Sequence, residues 1–300
     1  MRFDSDDNDN LHPFRFRSLP RRDRSLSLRE QFGIGRPVLI GAFEGWNDAG
    51  EAASSALDRL ARAWKATAFC DIDPEDFFDF TEVRPEVNVV DGEVRSITWP
   101  STTFAVAPGA VDVVVASGPE PQTHWKSYCE AFVELALELE VSRAIFLGAY
   151  LGEVTHRGPV TLSATSSDPD ELASGGLAAS FYEGPTGILA VLQSALDEVG
   201  IPATSIWASV PVYSATIAAK PALALAETAA RITGRPADLA GLARRAVEYE
   251  QLLDDVVAND ENVASFVQRV EMADESPTPE ISPERLTEEI ERYLRDRPGS

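Results

Sequence analysis

Residues 37–50 read Pro37-Val38-Leu39-Ile40-Gly41-Ala42-Phe43 and then Glu44-Gly45-Trp46-Asn47-Asp48-Ala49-Gly50. The first half is an apolar run short enough for a strand buried on both faces. The second half is a turn of Gly, Asn and Asp, and a helix-like stretch follows it to about Trp64. Strand, turn and helix in that order open a βαβ unit. The pattern then recurs. Strand candidates are Ala66–Cys70, Ile97–Ala107, Asp112–Ala116, Arg143–Leu147, Val160–Ala164 and Ser205–Val210. Helix candidates are Gln122–Leu139, Gly187–Val199 and Pro221–Thr233. Strands alternating with helices of this length predict an α/β fold with a mainly parallel sheet.

Outside residues 31–235 the texture changes. Residues 1–30 mix Asp, Arg, Ser and Pro with few apolar residues, which predicts a disordered tail. Residues 236–300 carry no strand signal and predict an all-helical appendage. Its first stretch repeats Leu239, Leu242, Ala246, Tyr249, Leu253 and Val257 at helical spacing, and a second run passes through Val263, Phe266 and Val270. The segment Ser276-Pro277-Thr278-Pro279 reads as a linker. Beyond it Ser282 and Pro283 open a last helix as N-cap and first-turn residue. There is no internal repeat.

The formal charge of −23 excludes a general binder of nucleic acid or of anionic membranes. The acidity is uneven: residues 1–30 are close to neutral, whereas 236–300 carry seven Arg against sixteen acids. Two cysteines, Cys70 and Cys129, cannot build a disulfide framework and stand among apolar neighbours, as buried thiols do. No apolar run reaches membrane-spanning length, and the first ten residues lack the apolar centre of a secretion signal. These features predict a cytoplasmic protein.

Three turns are candidates for chemistry. Ligands in open α/β sheets bind beyond the carboxyl ends of the strands, where the 44–50 turn lies. Glu44 and Asp48 would repel a phosphate there, and neither a GxGxxG spacing nor a Walker lysine is present. The alternative reading has Asn47 or Asp48 capping the helix and Trp46 packing over the sheet edge. The second turn, Gly148 to Val160, carries His156 beside Arg157, which could hold an anion or act as a base. With three histidines in the chain and no shared spacing, no metal site is predicted. The third is Tyr182-Glu183-Gly184-Pro185-Thr186-Gly187, with Thr186 as a helix N-cap. No nucleophile elbow appears, and neither cysteine has a base near it in sequence. No catalytic set and no cofactor are therefore predicted.

Along these turns the chain resembles the proteasome assembly chaperone type-2 family, in its long-tailed bacterial branch. The matching residues are the 43–50 turn, His156 to Val160, Tyr182 to Gly187, Trp207-Ala208-Ser209-Val210-Pro211 with Tyr213, and the Lys220-Pro221 helix entry leading to Leu225. They occur in collinear order between about residues 36 and 234. The resemblance implies a three-layer α/β/α domain distantly like nucleoside phosphorylases, and a homo-oligomer, specifically a trimer. Relatives chaperone proteasome assembly, some through a C-terminal hydrophobic-Tyr-X motif. Here the last tyrosine is Tyr293 and the sequence closes on Arg297-Pro298-Gly299-Ser300, so that device is not expected. Val212 also stands where relatives often carry His, and His156-Arg157-Gly158-Pro159 replaces the usual His-Thr-Arg-Pro.

Two functions follow as expectations. The first is a non-catalytic binding or assembly protein with a protein partner such as a proteasome subunit. The second is a small-molecule-binding enzyme or sensor, hydrolase-like or phosphorylase-like, at the strand ends. Its ligand-binding residues would be Glu44, Trp46, Asn47, Asp48, His156, Arg157, Thr186 and Tyr213.

Overall fold

The computed structural model describes residues 16–17, 27–168, 172 and 175–275. In chain order β1 is Phe16–Arg17, α1 Leu28–Phe32, β2 Val38–Glu44 and α2 Ala52–Ala63. Then come β3 Thr67–Ile72, β4 Glu86–Val90, β5 Glu93–Thr98, β6 Thr103–Ala107, β7 Val113–Pro119 and α3 Trp125–Glu138. The second half holds β8 Arg143–Gly152, β9 Leu162–Ser166, β10 Ala178–Ala179, α4 Ile188–Glu198 and β11 Ala203–Pro211. It ends with α5 Ala219–Thr233, α6 Ala240–Asn259 and α7 Glu261–Glu275.

Among the described residues nine strands form one sheet in the order β1-β3-β6-β7-β2-β8-β11-β9-β10. The expected mainly parallel sheet is present: β7, β2, β8 and β11 run parallel at its centre, antiparallel pairings join β6 and β9 to it on either side, and β10 pairs parallel to β9. Alternation along β2 explains why it is central. Leu39 and Phe43 face one core with α3 and α4, while Val38, Ile40 and Ala42 face a second core with α2 and α5. A strand with two buried faces must be apolar at every position, as 38–43 is. The layers are therefore α/β/α. Each large side chain in them contributes roughly 1.5–3 kcal/mol by leaving water; Phe132, fully buried, meets Phe43, Phe104, Tyr128 and Phe146 ring to ring.

Helix α6 lays Leu242, Tyr249 and Leu253 against the second core and buries Ala246 between them. The spacing is i, i+4, i+7, i+11, one stripe of a helix. Within residues 1–30, the expected tail, Ser27 and Glu30 form a capping box at the start of α1, and Leu28 is fully buried. The rest of that tail, apart from β1, and the expected last helix at 282–294 lie outside the described residues. The strand expected over Ile97–Ala107 is two strands. Pro100 lacks an N–H for the ladder and separates β5 from β6. β5 instead pairs with β4 in a separate two-stranded hairpin, every residue of which is exposed. No described helix is long and apolar enough to cross a membrane.

Candidate functional site

The parallel strands β2, β8 and β11 end at Glu44, Gly152 and Pro211, so the loops after them share one edge of the sheet. Backbone contacts knit that rim. Ala149 N–H donates to Asn47 O at 2.8 Å and Ala218 N–H to Gly50 O at 2.7 Å. Gly50 takes φ +58°, and a Cβ there would meet Ala218 Cβ at 2.9 Å, so this turn needs glycine on two counts.

The 44–50 turn divides its side chains among different tasks. Asp48 is the helix cap: its Oδ1 accepts from the N–H of Ala53 at 2.7 Å and of Ser54 at 3.2 Å. Burial pushes its carboxyl above the ordinary range, against those hydrogen bonds, which lower it. Asn47 is fully buried and donates through Nδ2 to Glu120 Oε1 at 2.6 Å. That same oxygen accepts the Ile188 N–H at 2.8 Å, so Glu120, at the end of β7, caps α4 from across the sheet. Thr186 was expected to do this; it is exposed, and Gly187 holds the N-cap position without a side-chain bond. Trp46, expected over the sheet edge, is 60% exposed. Glu44 stands at the mouth of a cleft of about 370 Å³ between α2 and the β2–β7 strand pair. Burial, then the charges of Asp48, Glu51 and Glu86, raise its carboxyl above the ordinary range.

The structure gathers His156, Arg157 and Tyr213 into a second group. The Tyr213 hydroxyl accepts the His156 N–H at 3.1 Å and lies 2.7 Å from its Nδ1. The Asp254 carboxylate, its Oδ1 3.2 Å from Nε2, can only accept, so Nε2 carries a proton, and in the neutral ring Nδ1 then accepts from the Tyr213 hydroxyl. Arg157 donates to the same Asp254 oxygen from Nε and Nη2, both at 3.1 Å, and to Glu271 at 3.5 Å. The Asp254 carboxyl is held low by the His156 hydrogen bond and then by Arg157, and burial raises the Tyr213 phenol. The Tyr213 ring meets Phe266 of α7 edge-on at 5.8 Å. Beneath the loop, Lys220 Nζ donates to His156 O at 2.6 Å and Gly158 O at 2.8 Å, and pairs with Glu250.

With its ring buried and both nitrogens engaged, His156 ties the β8 loop to the helical extension. Asp254 and Glu120 were not singled out from sequence, and Lys220 was named only as part of a helix entry. Only Lys220 had a signal, as one of three lysines among 26 basic residues, placed at a helix entry.

The model of the PAC2 family matches residues 42–257. Among solved structures, a PAC2 family protein from Streptomyces avermitilis is 40% identical, with 77% of this chain and 99% of that chain covered and a TM-score of 0.71. A proteasome-assembly chaperone homologue from Mycobacterium tuberculosis is 35% identical over 77% and 99%, also at 0.71. An archaeal proteasome activator from Pyrococcus furiosus, 17% identical over 81% and 98% at 0.62, shares the fold. No curated protein matches the chain. With the family model spanning well over half its length, this chain belongs to the PAC2 family.

Proposed function

We infer that the chain is a non-catalytic binding or assembly protein of the cytoplasm, working as a homo-oligomer, with a trimer as the expected form. The observation that carries this reading is apolar surface gathered at one edge. Leu151, Val212 and Ile217 stand exposed at the ends of β8 and β11 and before α5, beside the exposed Trp46. β3 runs in the same sense as β7, so the β4–β5 hairpin, which follows β3, leaves from the same edge. It exposes Val87, Val89, Val94 and Ile97. A lone two-stranded hairpin is marginal in water, and exposed apolar patches of this kind mark protein interfaces. The chaperone homologue among its relatives makes proteasome subunits the first partners to try.

The experiment is sedimentation velocity on the full chain, with and without proteasome α-subunits. An oligomer, weakened by Leu151→Ser with Val212→Ser, is expected, as is retention of a subunit. A chain that stays monomeric at every concentration and retains no subunit overturns the reading.

The alternative, a small-molecule-binding enzyme or sensor, hydrolase-like or phosphorylase-like, meets a physical obstacle in its phosphorylase-like form. Helix N-termini at the rim are the natural seats for phosphate. The carboxylates of Asp48 and Glu120 occupy those of α2 and α4. Thermal-shift screening with inorganic phosphate and nucleosides is expected to be flat, and a shift for phosphate would revive the alternative.

A further inference from the structure

The cleft beside α2 has a composition that neither the fold nor the assembly reading requires. Its mouth carries Glu44 from the end of β2 and Asp58 from α2. Ser54, Ser55 and Ser117 line it too, the Ser54 hydroxyl being bonded to Glu51 O at 3.3 Å, and its floor is the buried aliphatic set Ala42, Leu57 and Val115. Neither lysine nor arginine lines it. Among the described residues no basic side chain pairs with Glu44, and Asp58 is held by Arg62 in an exposed i, i+4 pair at 2.9 Å that a competing cation displaces at small cost.

A separate feature asks for a positive group at this end of α2. Asp48 is 6% exposed, and its Oδ1 is fixed on the N–H of Ser54, a cleft residue. Its Oδ2 is buried without a hydrogen-bonding partner. A buried carboxylate oxygen left unpaired is costly, and the carboxylates of Asp48 and Glu44 repel one another. Asp48 itself does not line the cleft, but a cation at Glu44 relieves the repulsion between the two carboxylates.

We propose that this cleft binds an organic cation, an ammonium or guanidinium group on a short aliphatic stem, with the charge at Glu44 and the stem on the apolar floor. The volume of about 370 Å³ lies in the range of small-molecule sites. No three His, Cys, Asp or Glu side chains among the described residues converge as metal ligands, so the fit is to an organic cation rather than a metal ion. The net charge of −23 raises the local concentration of any such cation. The same chemistry is offered by a free amine and by an Arg or Lys side chain of a protein. The proposal stands apart from the assembly reading and holds or fails whatever the oligomeric state.

The test is a titration of the full chain followed by amide NMR in about 150 mM salt, where long-range attraction is screened. The probes are agmatine, 1,5-diaminopentane, a blocked Gly-Arg-Gly peptide and neutral 1,5-pentanediol. Saturable shifts at Ser54, Ser55, Ser117 and Gly118 are expected with a cationic probe. Glu44→Gln should weaken them about tenfold or more, the worth of one charged hydrogen bond, while Glu75→Gln leaves them unchanged. Ser117→Tyr, which fills the cleft from an exposed strand position, should abolish them and serves if Glu44→Gln perturbs the turn. Binding of agmatine without the peptide identifies a free amine; tighter binding of the peptide identifies a protein side chain. A flat titration, shifts scattered over the acidic surface, equal shifts with pentanediol, or indifference to both variants would overturn the proposal.

Discussion

His156 Nε2 stands 3.2 Å from Asp254 Oδ1, joining residues 98 apart in sequence. The imidazole is buried, while the Asp254 side chain is 56% exposed. One end of the bond is therefore set by the packed loop after β8, and the other belongs to the outer face of α6. Arg157 shares the same oxygen and reaches on to Glu271 of α7. The helical extension is thus held to the core by these contacts, by Lys220–Glu250, Tyr249–Ser214 and Arg59–Asp238, and by the Leu242–Leu253 stripe.

Asp254→Asn tests that tie. The Asp254 carboxyl is held below the ordinary range, first by His156 and then by Arg157. A carboxylate with a lowered folded-state value adds stability that is fully present above its unfolded value, about 3.9, and is lost as pH falls through the folded one. The variant should therefore melt lower than wild type at neutral pH, with the gap closing below about pH 4. Because Asp254 is largely in water, the gap should not exceed about 1 kcal/mol. Hydrogen exchange in α7 should speed up at neutral pH. An equal melting difference at pH 7 and pH 3 would count against the carboxylate as its source.

A second prediction separates the true cap of α4 from the apparent one. Glu120→Ala should cost about 1–2 kcal/mol in urea unfolding, because it frees the Ile188 N–H and the buried Asn47 amide together. Thr186→Ala should stay within about 0.5 kcal/mol, since that residue is exposed and makes no cap. A larger loss for Thr186 would refute the assignment.

This pair also shows what the sequence could and could not disclose. Local pattern reveals β2 as an unbroken apolar run, and α2 and the α6 stripe because burial repeats there at 3.6 residues. It also reveals that Asp48 can cap the helix after it, a contact a few residues long. Two further local signals pass unread: Ser27 with Glu30, and the Asp91-Gly92 dipeptide, whose φ values of +52° and +80° turn the β4–β5 hairpin. The Glu120 cap and the Asp254 tie lie beyond local reading, spanning 68 and 98 residues with nothing periodic between the partners. The expected set of eight ligand residues divides in the same way. His156, Arg157 and Tyr213 meet, Asn47 is bonded to Glu120, Asp48 caps α2, Glu44 lines the cleft, and Trp46 and Thr186 face solvent.

Cys70 and Cys129 are buried and free. Burial pushes the Cys70 thiol far up and the Cys129 thiol up to about 12, so neither forms thiolate near neutral pH. Ellman's reagent at pH 8 should find no reactive thiol in the folded chain over minutes and two in urea. Rapid reaction of one thiol without denaturant would mean that its face of the core opens.

The strictest steric prediction concerns Gly187, whose φ of −99° any residue can adopt. A Cβ built there would lie 2.0 Å from Asn47 Oδ1 and 2.7 Å from its Nδ2. Asn47 cannot retreat, since it is fully buried and its Nδ2 is bonded to Glu120. Gly187→Ala must then either push Asn47 off Glu120, which also disturbs the α4 cap, or shift the start of α4 away from the turn. Either route costs about 1–3 kcal/mol of overpacking and leaves a buried amide poorly paired. Gly158→Ala, where a Cβ would meet nothing within 4 Å, is the control and should change stability by no more than about 0.5 kcal/mol. Urea midpoints of the two variants decide the matter. Equal midpoints would mean that the Asn47–Gly187 contact is looser than the rim geometry requires, and with it the junction between the first and third loops.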